Sequence, residues 1–141
     1  MSAIFFYGLF MDAALLQEKG LHPIRVGPAV LSDYQIRIGS RATLVPSAGS
    51  AAFGVVMELS AEEAERLYSE PSVGDYRPET VSAQLMNGAE IVEAICYNLL
   101  PDAADAGTNA AYAKRLSKLV LKLGFGSAYA DEIALFAARR Q

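Results

Sequence analysis

The sequence predicts a mixed α+β fold, with a small, largely antiparallel sheet rolled into a partial β-barrel and helices on its flanks. Three observations carry this expectation. Strand-length apolar runs dominate up to residue 59, Asn87-Gly88 sits between two further runs as a hairpin signal, and helical periodicity takes over after residue 108. At 141 residues the chain is read as one domain over 1–141, large enough to bury a substantial core.

The first element is a short apolar run, Ala3-Ile4-Phe5-Phe6, ending at Tyr7-Gly8. A short helix follows within a few residues, with Asp12 as N-cap, Ala13 to Leu16 as its body and Lys19-Gly20 as its stop. Backbone N–H groups at such a strand–turn–helix junction lack intrahelical partners and can point at a carboxylate or phosphate. Gly8 is expected to matter through positive φ and close backbone approach. A plain turn would use the same residues.

His22-Pro23 forces an extended path. Strands are then expected at Ala29 to Leu31, at Tyr34 to Ile38 with Tyr34, Ile36 and Ile38 on one face, and at Ala42 to Val45, stopping at Pro46. Ser47-Ala48-Gly49-Ser50 reads as a turn, and Ala52 to Leu59 as a central strand because it is almost wholly apolar. Ser60-Ala61-Glu62-Glu63 matches a capping box and opens a helix that is expected to stop near Pro71, with Glu70 at its C-terminal end.

Thr80 to Met86 and Glu90 to Leu99 flank Asn87-Gly88, the residue pair favoured in type I′ turns, and predict an antiparallel hairpin with Cys96 as a small buried hydrophobe. Pro101 to Gly107 is a loop of small and polar residues. Thr108 or Asn109 then caps a helix running to Leu123, with Tyr112, Leu116, Leu119 and Leu123 on its buried side. Gly124-Phe125-Gly126 closes it, and a last helix is expected over Ala130 to Arg139.

Composition narrows the function. A net charge of −4 leaves no general field for nucleic acid, and the basic residues Lys114, Arg115, Lys118 and Lys122 read as a solvated helix face. No apolar run approaches the roughly 20 residues of a membrane span, and the N-terminus lacks the basic residues of a secretory leader, so a cytoplasmic protein is expected. One cysteine and one histidine, Cys96 and His22, cannot build a zinc site together, and Glu62, Glu63 and Glu65 suit a solvated first helical turn. Neither a dinucleotide fingerprint, a P-loop nor a Gly-x-Ser-x-Gly elbow occurs.

Four pieces in order resemble the γ-glutamylcyclotransferase-like (AIG2-like) family. Phe6-Tyr7-Gly8-Leu9-Phe10-Met11 is similar to its first-strand Tyr-Gly motif, and Phe53 to Leu59 to its Gly-x-Val/Leu-Tyr strand. Leu67-Tyr68-Ser69-Glu70 with Tyr76-Arg77 is similar to its Leu-Asp-x-x-Glu-Gly followed by Tyr-x-Arg, and Ala111-Tyr112 to Gly124-Phe125 and Tyr129 to its C-terminal helices. The chain departs from the pattern at Leu9, Phe10, Leu67 and Pro71.

The resemblance implies a pocket for a γ-glutamyl group. The backbone of Tyr7, Gly8, Leu9 and Phe10 would grip its α-carboxylate, Tyr76 would line the site, and Glu70 would be the acid–base catalyst, with Glu79 or Asp75 next in line. The product would be 5-oxoproline. Cyclisation within one molecule needs no cofactor. The expected partner is a small γ-glutamyl compound, without nucleic acid or membrane, on a monomer or homodimer. The alternatives are a catalytically silent binding domain for a small carboxylate or a protein partner, and removal of a γ-glutamyl protecting group in a biosynthetic pathway.

Overall fold

The computed structural model describes residues 2–71, 73–100 and 109–137. Five strands form a closed barrel: β1 (Ser2–Phe6), β2 (Ile24–Ile38), β3 (Ala42–Leu59), β4 (Arg77–Leu85) and β5 (Ile91–Asn98), in the order β1-β3-β2-β4-β5. Every pairing is antiparallel except the closure, where β1 meets β5 in parallel at Ile4 and Ile95. The helices are α1 (Ala13–Glu18), α2 (Ala61–Leu67), α3 (Ala110–Lys122) and α4 (Ser127–Ala134), with 3₁₀ turns at Leu9–Met11 and Leu135–Ala137.

The strands bury side chains on both the inner face of the barrel and the outer face under the helices, as the run Val55-Val56-Met57 shows. Ile4, Val55, Val56, Met57, Ala83 and Cys96 are fully buried, and each large side chain among them contributes roughly 1.5–3 kcal/mol by leaving water. Gly54 is required in β3 because a Cβ there would collide with the Phe6 carbonyl and the Phe5 ring. The helix α3 turns Ala113, Leu116 and Val120 inward and packs on α4, while Tyr112, Leu119 and Leu123 are only partly buried.

Local capping signals hold. Asp12 Oδ1 accepts the Ala14 N–H at 3.0 Å, Asn109 Oδ1 accepts the Tyr112 N–H at 3.0 Å, and Ser60 with Glu63 forms the full reciprocal capping box. Backbone hydrogen bonds to Glu63 keep its carboxyl below the usual carboxylate range.

Several boundaries differ from expectation. The two strands expected between residues 29 and 38 are one strand from Ile24, bulged at Arg25/Gly27 and Ser32/Tyr34. Pro46 does not end its strand. It pairs with Tyr34, and Ser47 to Ser50 bulge outward opposite Asp33, which has φ 66° and whose carboxylate accepts the Gly49 N–H, before pairing resumes at Ala51. At the hairpin, Gly88 and Ala89 take positive φ rather than Asn87 and Gly88, so the connection is longer than a two-residue type I′ turn. The helix α2 ends at Leu67, which leaves Glu70 in a turn beyond the C-cap residue Tyr68. The last helix begins at Ser127 and tightens to 3₁₀ at Leu135. The Pro101–Gly107 loop, the cap alternative Thr108 and Arg139 lie outside the described residues.

A buried polar cluster ties the start of β3 to the end of β5. Asn98 Oδ1 accepts the Leu44 N–H at 3.0 Å, Asn98 Nδ2 donates to Glu79 at 2.6 Å, and Thr43 Oγ1 accepts the Leu99 N–H at 2.9 Å. Thr43 and Asn98 are buried, so these bonds satisfy groups that water cannot reach. The same end of the barrel carries the cavity.

Candidate active site

The turn after β1 is the first wall of a cavity of about 310 Å³, lined also by the β2–β3 turn, the segment after α2, the end of β5 and the start of α3. Gly8 has φ −106°, so the positive φ expected for it is not used. Close approach is the reason for glycine here, since a Cβ would stand 2.5 Å from Tyr112 Oη. The Leu9 N–H donates to that hydroxyl at 3.3 Å. The 3₁₀ turn continues with the Met11 N–H donating to the Gly8 carbonyl at 3.0 Å, whereas the N–H groups of Gly8 and Phe10 have no partner among the described residues.

Five tyrosines line the cavity: Tyr7, Tyr68, Tyr76, Tyr97 and Tyr112. Tyr7 Oη donates to the Tyr97 carbonyl at 2.7 Å, Tyr76 Oη donates to the Ala42 carbonyl, and the Tyr68 and Tyr97 rings stack 3.7 Å apart. Burial raises the pKa of all five phenols, so they remain neutral at ordinary pH. Among the described residues that line the cavity, the one charged side chain is Arg41, and there is no Asp, Glu, Lys, His or Cys.

Arg41 comes from the β2–β3 turn. Its guanidinium binds Asp75 through two bonds, Nη1 to Oδ1 at 2.5 Å and Nη2 to Oδ2 at 2.7 Å, and lies 5.6 Å from the centre of the Tyr76 ring. The bond to Arg41 holds the Asp75 carboxyl below the usual carboxylate range.

Sequence comparison adds the family. A family model for gamma-glutamyl cyclotransferase, AIG2-like, matches residues 4–115. The chain belongs to this family. Solved structures agree on the fold. A gamma-glutamyl cyclotransferase superposes with a TM-score of 0.75 at 16% identity, over 94% of this chain and 85% of that one. YkqA from Bacillus subtilis gives 0.78 at 22% identity, over 97% of this chain but 54% of that one. An uncharacterized protein from Homo sapiens gives 0.72 at 17% identity, over 94% and 85%. No curated protein sequence matches the chain significantly. Family and fold together support an activity of the cyclotransferase type.

Within this γ-glutamylcyclotransferase-like fold, Tyr7, Gly8, Leu9, Phe10 and Tyr76 converge on the one cavity. Glu70 does not line it. Its carboxylate takes both hydrogen bonds of a bidentate ion pair with Lys19 Nζ, at 2.8 and 3.1 Å, and its side chain is 36% exposed. Glu70 is therefore not buried against apolar walls, because the chain runs on past the C-cap of α2 and pairs the carboxylate with Lys19 at the end of α1. The pair nonetheless sits at the rim. Lys19 Nζ lies 5.9 Å from the centre of the Phe10 ring, and the Glu70 carbonyl accepts the N–H of the cavity-lining Val73. Asp75 faces Arg41, and Glu79 faces Asn98. Sequence reasoning missed Arg41, Tyr68, Tyr97 and Tyr112 as lining residues. The tyrosine-rich composition, 7 in all, was the one available hint.

Among the described residues no group of three or more His, Cys, Asp or Glu is placed to hold a metal ion. No helix among the described residues is long and apolar enough to cross a membrane.

Proposed function

We propose that this chain is a cyclotransferase that releases 5-oxoproline from a γ-glutamyl amide or peptide, working as one domain over residues 1–141. The observation that carries the reading is the turn at Tyr7–Phe10. In a chain of this family, it lines a half-open, largely apolar cavity of ligand size and carries two backbone N–H groups, those of Gly8 and Phe10, that have no partner among the described residues. The substrate's α-carboxylate accepts from Gly8 and Phe10. Tyr112, whose oxygen already accepts from Leu9, turns its own O–H toward the same anion. Tyr76 forms a further wall.

Glu70 is the acid–base group. The described cavity tyrosines are held neutral by burial and Arg41 cannot deprotonate, so among the described residues the base comes from the rim. The incoming α-ammonium takes the place that the Lys19 ammonium occupies beside Glu70, and Glu70 removes its proton. The free amine attacks the γ-carbonyl carbon, Glu70 hands its proton to the leaving nitrogen as that C–N bond breaks, and the second proton, which the ring nitrogen sheds on becoming an amide, passes through Glu70 to the same amine, which departs as an ammonium. Both reacting groups belong to one molecule, so the cavity's task is to fold it into a near-attack shape.

The test is mass-spectrometric detection of 5-oxoproline after incubation with γ-glutamyl amino acids, γ-glutamyl amines and glutathione, beside Glu70→Gln. Product from the parent and none from a folded Glu70→Gln is expected. Equal turnover in both removes Glu70 from the mechanism. One observation favours a second reading, a silent binding domain for a small carboxylate. No carboxylate lines the described cavity wall, and Glu70 is already paired. Ligand binding without product from the whole panel is the outcome that selects it.

A further inference from the structure

Arg41 reaches the cavity from the turn between β2 and β3, on a different wall from the Gly8 turn. Its guanidinium lies over the Tyr76 ring, 5.6 Å from the ring centre, and the Tyr76 hydroxyl is itself tied to the Ala42 carbonyl. Asp75 meets it in the fork-to-fork geometry that a ligand carboxylate would use. The Asp75 side chain is 58% exposed, so solvent screens the pair and an entering anion can exchange with it.

We infer that Arg41 is a specificity-determining residue that receives a carboxylate on the amine half of the substrate, and that Asp75 holds that place until the substrate enters. The inference rests on the proposed γ-glutamyl reading, which puts the α-carboxylate at the Gly8 turn. A substrate with a second carboxylate satisfies both walls at once, so the departing group is an amino acid rather than a simple amine. An uncharged leaving group would instead leave Arg41 with Asp75 and gain nothing from it. Lysine would not serve at this position equally well, because the planar guanidinium fork is what matches the carboxylate in two bonds.

A matched pair of ligands isolates the effect. γ-Glutamylalanine and γ-glutamylethylamine differ only by the carboxylate, and calorimetric titration into the full chain carrying Glu70→Gln reads binding without turnover. The alanine conjugate is expected to bind about tenfold more tightly, as one charge-assisted bidentate contact less one exchanged surface ion pair. Arg41→Gln should bring the ratio near one, and Asp75→Asn should raise it severalfold by removing the internal competitor. A ratio near one in the Arg41 parent, or a ratio that Arg41→Gln leaves intact, overturns the inference while the ethylamine conjugate still reports on the Gly8 turn. Binding of neither ligand overturns both this inference and the reading beneath it. If Arg41→Gln does not fold, Asp75→Asn decides alone, and an unchanged ratio there refutes the role given to Asp75 and with it the exchange.

Discussion

Gly8 and Tyr112 form a contact whose energetics can be separated by a double-mutant cycle. A methyl group on Gly8 would lie 2.5 Å from Tyr112 Oη, against about 3.5 Å for an ordinary contact, so the hydroxyl must retreat by roughly 1 Å. Its hydrogen bond from Leu9, already 3.3 Å long, is then broken. Loss of that bond plus local overpacking puts Gly8→Ala at about 1.5–3 kcal/mol of destabilisation. The backbone adds no strain, because φ −106° with ψ −153° is open to alanine. Tyr112→Phe alone should cost about 1 kcal/mol by leaving the Leu9 N–H unpaired. In that background the nearest ring atom, Cζ, is 3.8 Å from the new methyl, so the alanine fits and also lowers the entropy of the unfolded chain. The double variant should therefore be about as stable as Tyr112→Phe, a coupling of roughly 1.5–3 kcal/mol in urea unfolding. Additivity within about 0.5 kcal/mol would refute the collision as the reason for glycine. Gly8→Ala is also expected to weaken ligand binding, since the displaced hydroxyl belongs to the proposed carboxylate site.

Two further outcomes follow from the buried cluster beside the cavity. Asn98→Leu should destabilise by about 2–4 kcal/mol, because it orphans the Leu44 N–H and strips a partner from Glu79, and a change below 1 kcal/mol in chemical denaturation would count against the cluster as the tie between β3 and β5. Burial pushes the Cys96 thiol up to about 12, against a slight lowering by Asn98, so native protein at pH 8 should resist iodoacetamide while urea-unfolded protein reacts. The linkage has a definite sign. The unfolded thiol ionises near 8.5 and the folded one near 12, so stability is unaffected below about pH 8 and declines as pH rises toward 12, with the buried tyrosines adding to the decline above about pH 10. A melting temperature flat from pH 8 to 11 would contradict this burial.

What was legible in the sequence is what short-range chemistry decides. Asp12, Ser60 with Glu63, and Asn109 cap their helices because cap and N–H lie within three residues of each other. The Tyr-Gly turn could be read for the same reason. Pro46 and Ser47 to Ser50 misled because turn-forming residues were absorbed into a bulge by pairing with β2, a partner that local pattern does not name. Arg41 escaped notice because Asp75, 34 positions away, and the Tyr76 ring give it its place. The position of Glu70 likewise depends on Lys19, 51 positions earlier, and on a helix that ends at Leu67, short of Pro71.

The parallel closure of β1 on β5 also sets the order in which the molecule can become itself during synthesis. The wall that carries Gly8 leaves the ribosome first, yet Tyr7 waits for the carbonyl of Tyr97, 90 residues later, and Ile4 for Ile95. Until that strand has emerged, β1 has only an antiparallel partner in β3 and an open flank on its other side. Long-range closure of this kind is slow and leaves an unpaired edge exposed meanwhile. Nascent chains halted before residue 91 should thus display β1 as a sticky edge, and the cavity should appear only once the last strand has docked.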